Sequence, residues 1–331
     1  MKAMLLRGLA PLAQNSTPLS LETIPDPQPG AAEVMIRVTR CGVCHTELDE
    51  IEGRTPPPRL PIILGHQAVG VTETGQRVGV AWIASACGEC DYCKSGQENL
   101  CPQFQATGRD VDGGYAEYMK VRAEFVHPIP DTLSDSEAAP LLCAGAIGYR
   151  SLRLSKLKDG QTLGLMGFGG SNHLVLKITS YQLPTTKIFV FSRSEAEREF
   201  ALSLGAAWAG AIDEVPPSAL DAVIDTTPVW GPDLEALKRL KPGGRLVINA
   251  IRKQDTDQQV LSTLDYPSQL WMEKEIKSVA NVTRQDVREF LQLAAEAGIK
   301  PEFQEYPLKD ANHALLEMKQ GKIRGAKILT V

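Results

Sequence analysis

Two cysteines, a histidine and a threonine fall together in Cys41-Gly42-Val43-Cys44-His45-Thr46-Glu47, the raw material of a metal site with a hydroxyl beside it. Downstream stand His66, in Leu-Gly-His-Gln, and a lone Cys143, in Pro-Leu-Leu-Cys-Ala-Gly. Zinc favours thiolate sulfur and imidazole nitrogen. Three protein ligands instead of four leave one position for water or substrate, which separates a catalytic site from a structural one. The expectation is that Cys44, His66 and Cys143 form such a triad. Spacing does not establish it, because the three are far apart in the chain. Taken singly, His66 or Cys143 reads as a packed core residue, and only their joint occurrence favours ligands.

A second set is local. Cys87, Cys90, Cys93 and Cys101 follow the pattern C-x2-C-x2-C-x7-C. Thiols this dense can wrap one zinc tetrahedrally from a single loop, closing it to solvent and to chemistry. An iron–sulfur cluster uses similar runs and is the alternative. The total of seven cysteines is odd and bunched, which argues for metal binding and against a disulfide framework.

A third site is suited to phosphate. Gly167-Phe168-Gly169-Gly170-Ser171-Asn172 lies between a short apolar run and a helical pattern. Gly167 suits a tight turn, Gly169 lets backbone approach a pyrophosphate, and the helix N-terminus offers free N–H groups. Gly170 and Ser171 belong to the same turn. Asn172 replaces the third glycine of the G-x-G-x-x-G fingerprint, so the match is incomplete. About 25 residues on, the next strand ends in Ser192-Arg193-Ser194. A guanidinium between two hydroxyls, where an NAD site wants a carboxylate, suits the 2′-phosphate of NADP. Thr226, just after one later strand, and Ala250, at the end of another, complete the candidate cofactor contacts.

These residues need elements to position them. At 331 residues the chain is long for one core, and length suggests about two domains at ~150 residues each. With 43% hydrophobic and 23% charged residues it reads as a soluble globular protein. The net charge of −5 gives no electrostatic reason to expect nucleic acid or an anionic membrane. No apolar run approaches the ~18 residues of a membrane span. Arg7 interrupts the apolar start, which reads as a first strand and not as a secretory signal; a cytoplasmic location is expected.

Residues 33–40 alternate with period two, as a strand with one buried face does. From about residue 146, apolar runs at 162–166, 187–191, 222–225 and 246–250 alternate with helical patterns at 173–181, 196–204 and 234–240. That order argues for βαβ units and a parallel sheet. Residues 286–297 and 310–320 read as helices and 326–331 as a closing strand.

Taken together, Gly42-Val-Cys-His-Thr46, Leu64-Gly-His66, the four-cysteine lobe, Pro140-Leu-Leu-Cys143, the glycine turn and Gly321-Lys-Ile-Arg324-Gly give a clear resemblance. The chain resembles, over nearly its whole length, the zinc-dependent alcohol dehydrogenases of the medium-chain dehydrogenase/reductase superfamily. The resemblance implies an α/β protein: a Rossmann doubly wound parallel sheet, 148–285, and a mainly-β, GroES-like catalytic domain, 1–147 with 286–331, carrying a structural zinc lobe. Two Cys and one His are that family's known ligand set, so the resemblance puts the catalytic zinc on Cys44, His66 and Cys143, with Cys41 outside it. It makes Thr46 the first member of a proton relay and Trp82 a wall of the substrate pocket, and it places His45 and Arg324 near the cofactor pyrophosphate.

Three positions depart from the family's pattern. Gln67 stands where Glu is usual, Glu47 where Asp is usual, and Asp49 where many members end the proton relay with histidine, a catalytic job that this carboxylate, or solvent, can do. The function implied is hydride transfer between NADP(H), with NAD(H) as the alternative, and a primary alcohol or aldehyde, by a homodimer or homotetramer with two zinc ions per chain. A polyol or sugar-alcohol dehydrogenase on the same scaffold is the neighbouring reading. A non-catalytic NADP-binding redox sensor is the reading from another class.

Overall fold

The structure is a computed structural model that describes residues 1–321 and 325–331. It forms two compact units, one of Met1–Ala146 with Val282–Val331 and one of Ile147–Asn281.

The first unit is built on the strand Glu33–Val43, in which Ile36 and Val38 are buried while Arg37 between them is exposed. The alternation read from the sequence is therefore one face of a sheet. Gln67–Thr72, Tyr118–Arg122 and Ala326–Thr330 all pair with this strand antiparallel. The last of these sets Ile328 opposite Gly42 and Leu329 opposite Cys41, so the tail lies along the segment that leads to Cys44. Phe303–Pro307 extends the sheet in parallel beyond it. A short ladder, Ile83–Ser85 on Gln105–Ala106, closes the base of the four-cysteine loop.

The second unit is a six-stranded, all-parallel sheet. Its spatial order is Trp208–Gly210, Lys187–Phe191, Thr162–Met166, Leu220–Asp225, Leu240–Ile248 and Glu275–Ser278. Numbered by sequence this is 3-2-1-4-5-6, the doubly wound arrangement, with its direction reversing beside Thr162–Met166. The helices Asn172–Gln182, Glu195–Ser203 and Gly231–Arg239 are the crossovers. Phe191, Val223 and Leu246 are fully buried in its core. Each such side chain contributes roughly 1.5–3 kcal/mol of burial, so the sheet, and not the turns, carries stability. The turns are then available for binding.

The helix expected at 234–240 begins earlier, at Gly231. Pro232 suits the first turn, where its missing N–H is no loss, and the Asp257 carboxylate accepts from the N–H groups of Trp230 and Gly231.

Candidate active site

The strand Glu33–Val43 runs directly into Cys44 and the helix His45–Ile51. Glu47 sits at the third helical position, and its Oε2 accepts the Cys44 N–H at 2.7 Å, as in a capping box. Its other oxygen, Oε1, lies 2.6 Å from His66 Nδ1, with both side chains buried. One carboxylate thus fixes the backbone of one cysteine and the ring of the histidine.

His66 follows Gly65, whose φ is +97°. A Cβ at Gly65 would lie 2.4 Å from the Tyr115 ring, so only glycine lets the chain approach there and present His66 inward. Cys143 comes from a different kind of element, a π-helical turn, Leu141–Gly145, following the helix Asp135–Pro140. Widened turns of this type are frequent at functional sites.

The donor atoms of Cys44, His66 and Cys143 all lie within 4.8 Å of one another. His66 Nε2 is 3.3 Å from Cys143 Sγ, and Cys44 Sγ is 3.6 Å from Thr46 Oγ1. The hydrogen bond from Cys143 pushes the Cys44 thiol well below its ordinary range, against burial and with help from His66. The same contact, then burial, pushes Cys143 well above. Burial opposes an imidazolium at His66, yet Glu47 and Cys44 hold its pKa well above the usual value. A divalent cation answers this imbalance. Two sulfurs and an imidazole nitrogen with its second nitrogen on a carboxylate form a donor set and support that suit zinc.

Other residues singled out by the sequence divide clearly. Cys41 is fully buried with its pKa raised by burial, and is not part of the three-atom cluster. Gln67 is buried with its amide against Gly42. The Asp49 carboxylate is paired with the Arg54 guanidinium. Trp82 is half-buried with its ring 5.2 Å from that of Phe104. His45 is exposed in the first turn of its helix. Arg324 lies outside the described residues.

One acid was not singled out. Glu50 is fully buried one turn after Glu47, and burial, then Glu47, push its carboxyl well above the ordinary range. The i, i+3 spacing of two glutamates on a short helix was the available signal.

Sulfur atoms of Cys87, Cys90, Cys93 and Cys101 also lie within 4.8 Å of one another. Backbone N–H groups of Glu89 and Cys90 lower Cys87 to about 6, and burial raises Cys93 to about 12. The loop supplies N–H donors to sulfur from Cys87, Cys90 and Gln103, at 3.3 to 3.4 Å. The Cys87 thiolate is thereby favoured with no help from distant segments.

In the parallel sheet, Gly167 ends the strand Thr162–Met166 at φ +75°. A Cβ on Gly169 or Gly170 would meet nothing within 4 Å, so this stretch leaves open space for a ligand to approach backbone. Asn172 is the first residue of the helix that follows. It is fully buried, and its Nδ2 donates to the carbonyls of Met166 (3.0 Å) and Gly167 (2.8 Å) and to Thr226 Oγ1 (3.1 Å). It secures the turn from beneath. Ser171 and Ala250 are half-buried near the same edge, with Asn249 Nδ2 3.5 Å from Ser171 Oγ.

The hydroxyls beside Arg193 are likewise engaged by the fold. Ser192 Oγ, buried, donates to Glu197 Oε2 at 2.5 Å, and Ser194 Oγ caps the helix Glu195–Ser203 by accepting the Glu197 N–H. Arg193 is exposed and makes no ion pair among the described residues.

Residues 30–131 match the alcohol dehydrogenase GroES-like domain family. Over 97% of the chain and 95% of its relative, 42% of residues are identical to "Probable alcohol dehydrogenase AdhA" of Mycobacterium tuberculosis. An alcohol dehydrogenase of Geobacillus stearothermophilus is 34% identical over 97% of the chain and 99% of its own length. The CAD of Helicobacter pylori, solved with NADP(H), shares the fold at a TM-score of 0.86 and 21% identity, covering 99% of this chain and 97% of that one. The chain belongs to the zinc-type alcohol dehydrogenases of the medium-chain dehydrogenase/reductase superfamily.

Proposed function

We propose that this chain is a zinc-dependent alcohol dehydrogenase and aldehyde reductase that moves hydride between NADP(H) and a primary alcohol or aldehyde. The observation that carries the reading is the convergence of Cys44, His66 and Cys143 within 4.8 Å, from a strand end, a glycine-led turn and a π-helical turn. A zinc ion held there supplies Lewis acidity toward an alcohol or carbonyl oxygen, and the nicotinamide ring supplies or accepts the hydride.

The chain's own residues hold, orient and move protons. Cys44 and Cys143 donate sulfur and His66 donates Nε2, while Glu47 holds the opposite ring nitrogen. Thr46, whose hydroxyl lies 3.6 Å from Cys44 Sγ, is the first group to exchange a proton with the substrate oxygen. From Thr46 the proton passes outward to Asp49, which is paired with Arg54, or directly to solvent. Trp82 forms part of the pocket wall. Cys87, Cys90, Cys93 and Cys101 hold a second, structural zinc.

In the parallel-sheet unit, the N–H groups after Gly167 receive the pyrophosphate. The unpaired Arg193 receives the 2′-phosphate, so NADPH binds at least about tenfold more tightly than NADH, and Arg193→Ala removes the difference. Near-equal dissociation constants in the unaltered protein refute that role.

The partner is a small alcohol or aldehyde; no feature supports nucleic acid, and no helix among the described residues is long and apolar enough to cross a membrane. We infer a cytoplasmic homodimer or homotetramer, supported by exposed Tyr266, Trp271, Met272 and Ile276 along the edge of the parallel sheet.

Metal analysis combined with an NADPH-oxidation screen over aliphatic and aromatic aldehydes tests the whole. Two zinc ions and aldehyde-dependent oxidation are expected. One zinc, no turnover and retained cofactor binding would replace the enzyme with a redox sensor.

A further inference from the structure

Beyond the ends of the strands Leu220–Asp225 and Leu240–Ile248 lies a charge cluster that the chemistry above does not use. Lys253 Nζ donates to Asp225 Oδ2 at 2.5 Å and to the carbonyls of Val229 (3.0 Å) and Thr227 (3.1 Å). It also stands 2.7 Å from Asp233 Oδ2, on the helix Gly231–Arg239, and 5.7 Å from the centre of the Trp230 ring. The Lys253 side chain is 5% exposed and the two acids less. Apolar side chains of similar volume often replace a buried ion cluster without loss of stability. Stability alone therefore does not account for it.

What the cluster fixes is position. Asp225 Oδ1 accepts from Thr227 Oγ1 at 2.8 Å and from the Thr227 N–H at 3.1 Å. Thr226 and Thr227 in turn lie against the glycine turn. A Cβ on Gly167 would come 3.1 Å from Thr226 Oγ1 and 3.2 Å from Thr227 Cγ2. Asn172, which anchors that turn, donates to Thr226 Oγ1. An unbroken run of contacts leads from Lys253 through Asp225 and Thr227 to the first glycine. The two loops that Lys253 joins, 226–230 and 249–253, occupy the carboxyl edge of the sheet, where doubly wound folds seat their ligands.

We propose that Lys253 is a positioning residue for the dinucleotide, holding the Thr226–Trp230 loop against the glycine turn so that the crevice is formed before the cofactor arrives. The proposal rests on the reading of Ile147–Asn281 as the dinucleotide-binding unit. A loop ordered in advance removes an entropy cost from binding. Burial, then Asp225, pushes the Asp233 carboxyl up to about 8. The charge balance of the cluster therefore turns on the Lys253–Asp225 contact more than on Asp233.

That charge balance chooses the variants. Lys253→Met alone leaves Asp225 buried and uncompensated. Asp225→Asn/Lys253→Met leaves no unpaired charge and keeps an oxygen for Thr227, while Asp233→Asn mimics the neutral acid and is the control. NADPH dissociation constants are measured by fluorescence on the full chain, with kcat at saturating NADPH, zinc content and melting temperature in parallel.

In the double variant the dissociation constant rises about tenfold, the order expected when one or two side chains must be ordered on binding. Zinc content stays at two, kcat keeps its order of magnitude, and Asp233→Asn binds as the unaltered protein does. A folded double variant with an unchanged dissociation constant overturns the proposal, as does a loss confined to kcat. Failure of the unaltered protein to bind any dinucleotide overturns the underlying reading as well.

Discussion

Among the described residues the molecule holds two clusters whose donor atoms could hold a metal ion, within the same unit and built by opposite means. Cys87, Cys90, Cys93 and Cys101 lie in one loop, and their sulfurs receive N–H groups of that loop. Cys44, His66 and Cys143 come from three elements far apart in sequence and are braced by a carboxylate, Glu47, that touches two of the three residues. A loop can close a tetrahedron by itself but leaves no vacancy. A site assembled from distant elements can leave one, at the cost of depending on the whole unit's fold. The difference separates a metal that stabilises from a metal that reacts.

Four substitutions sharpen or break that distinction. His66→Ala removes a ligand of the dispersed cluster. Zinc content falls from two to one and kcat/KM drops by at least ~10³, the factor that several kcal/mol of lost charge stabilisation represents. Full turnover in this variant erases the difference between the clusters. Cys90→Ala also brings zinc content to one, but the loss appears in thermal unfolding, since a structural zinc contributes folding energy directly. The folded fraction keeps kcat of the same order.

Glu47→Gln tests the brace: zinc affinity at the dispersed cluster falls ~10–100-fold, read by competition with a chelator, while the four-cysteine site keeps its zinc. Equal loss from both sites would show that Glu47 supports the unit and not the cluster. Cys41→Ala gives the smallest effect. Its thiol is buried near the cluster without belonging to it, so zinc content and activity hold and stability falls by about 1 kcal/mol.

What the sequence disclosed follows the same division. The four-cysteine loop and the glycine turn are legible because neighbours in the chain make them. The triad is legible only as a set of short motifs, since no spacing connects residue 44 to residue 143. The parallel sheet is legible from its alternating apolar runs, but Glu275–Ser278 is exposed along its length and carries no apolar pattern.

Side-chain commitments stayed hidden for a physical reason. That Asp49 is held by Arg54, Ser192 by Glu197 and Asn172 by the carbonyls of its own turn depends on which rotamer each adopts in a packed setting. Residue type reveals capacity for a hydrogen bond and not its direction. Lys253 reads as one more surface lysine until two distant aspartates are brought beside it.

The strand Ala326–Thr330 lies antiparallel to Glu33–Val43, with Leu329 opposite Cys41. The unit Ile147–Asn281 is one continuous stretch, whereas its neighbour is made of two stretches separated by it. During synthesis the inner unit has all its strands once residue 281 has emerged from the ribosome. The other unit still lacks two strands of its sheet, Phe303–Pro307 and Ala326–Thr330, the second of which pairs with Arg40–Val43. Its nascent edge must therefore stay unpaired, and shielded from other chains, until residues 326–330 have emerged.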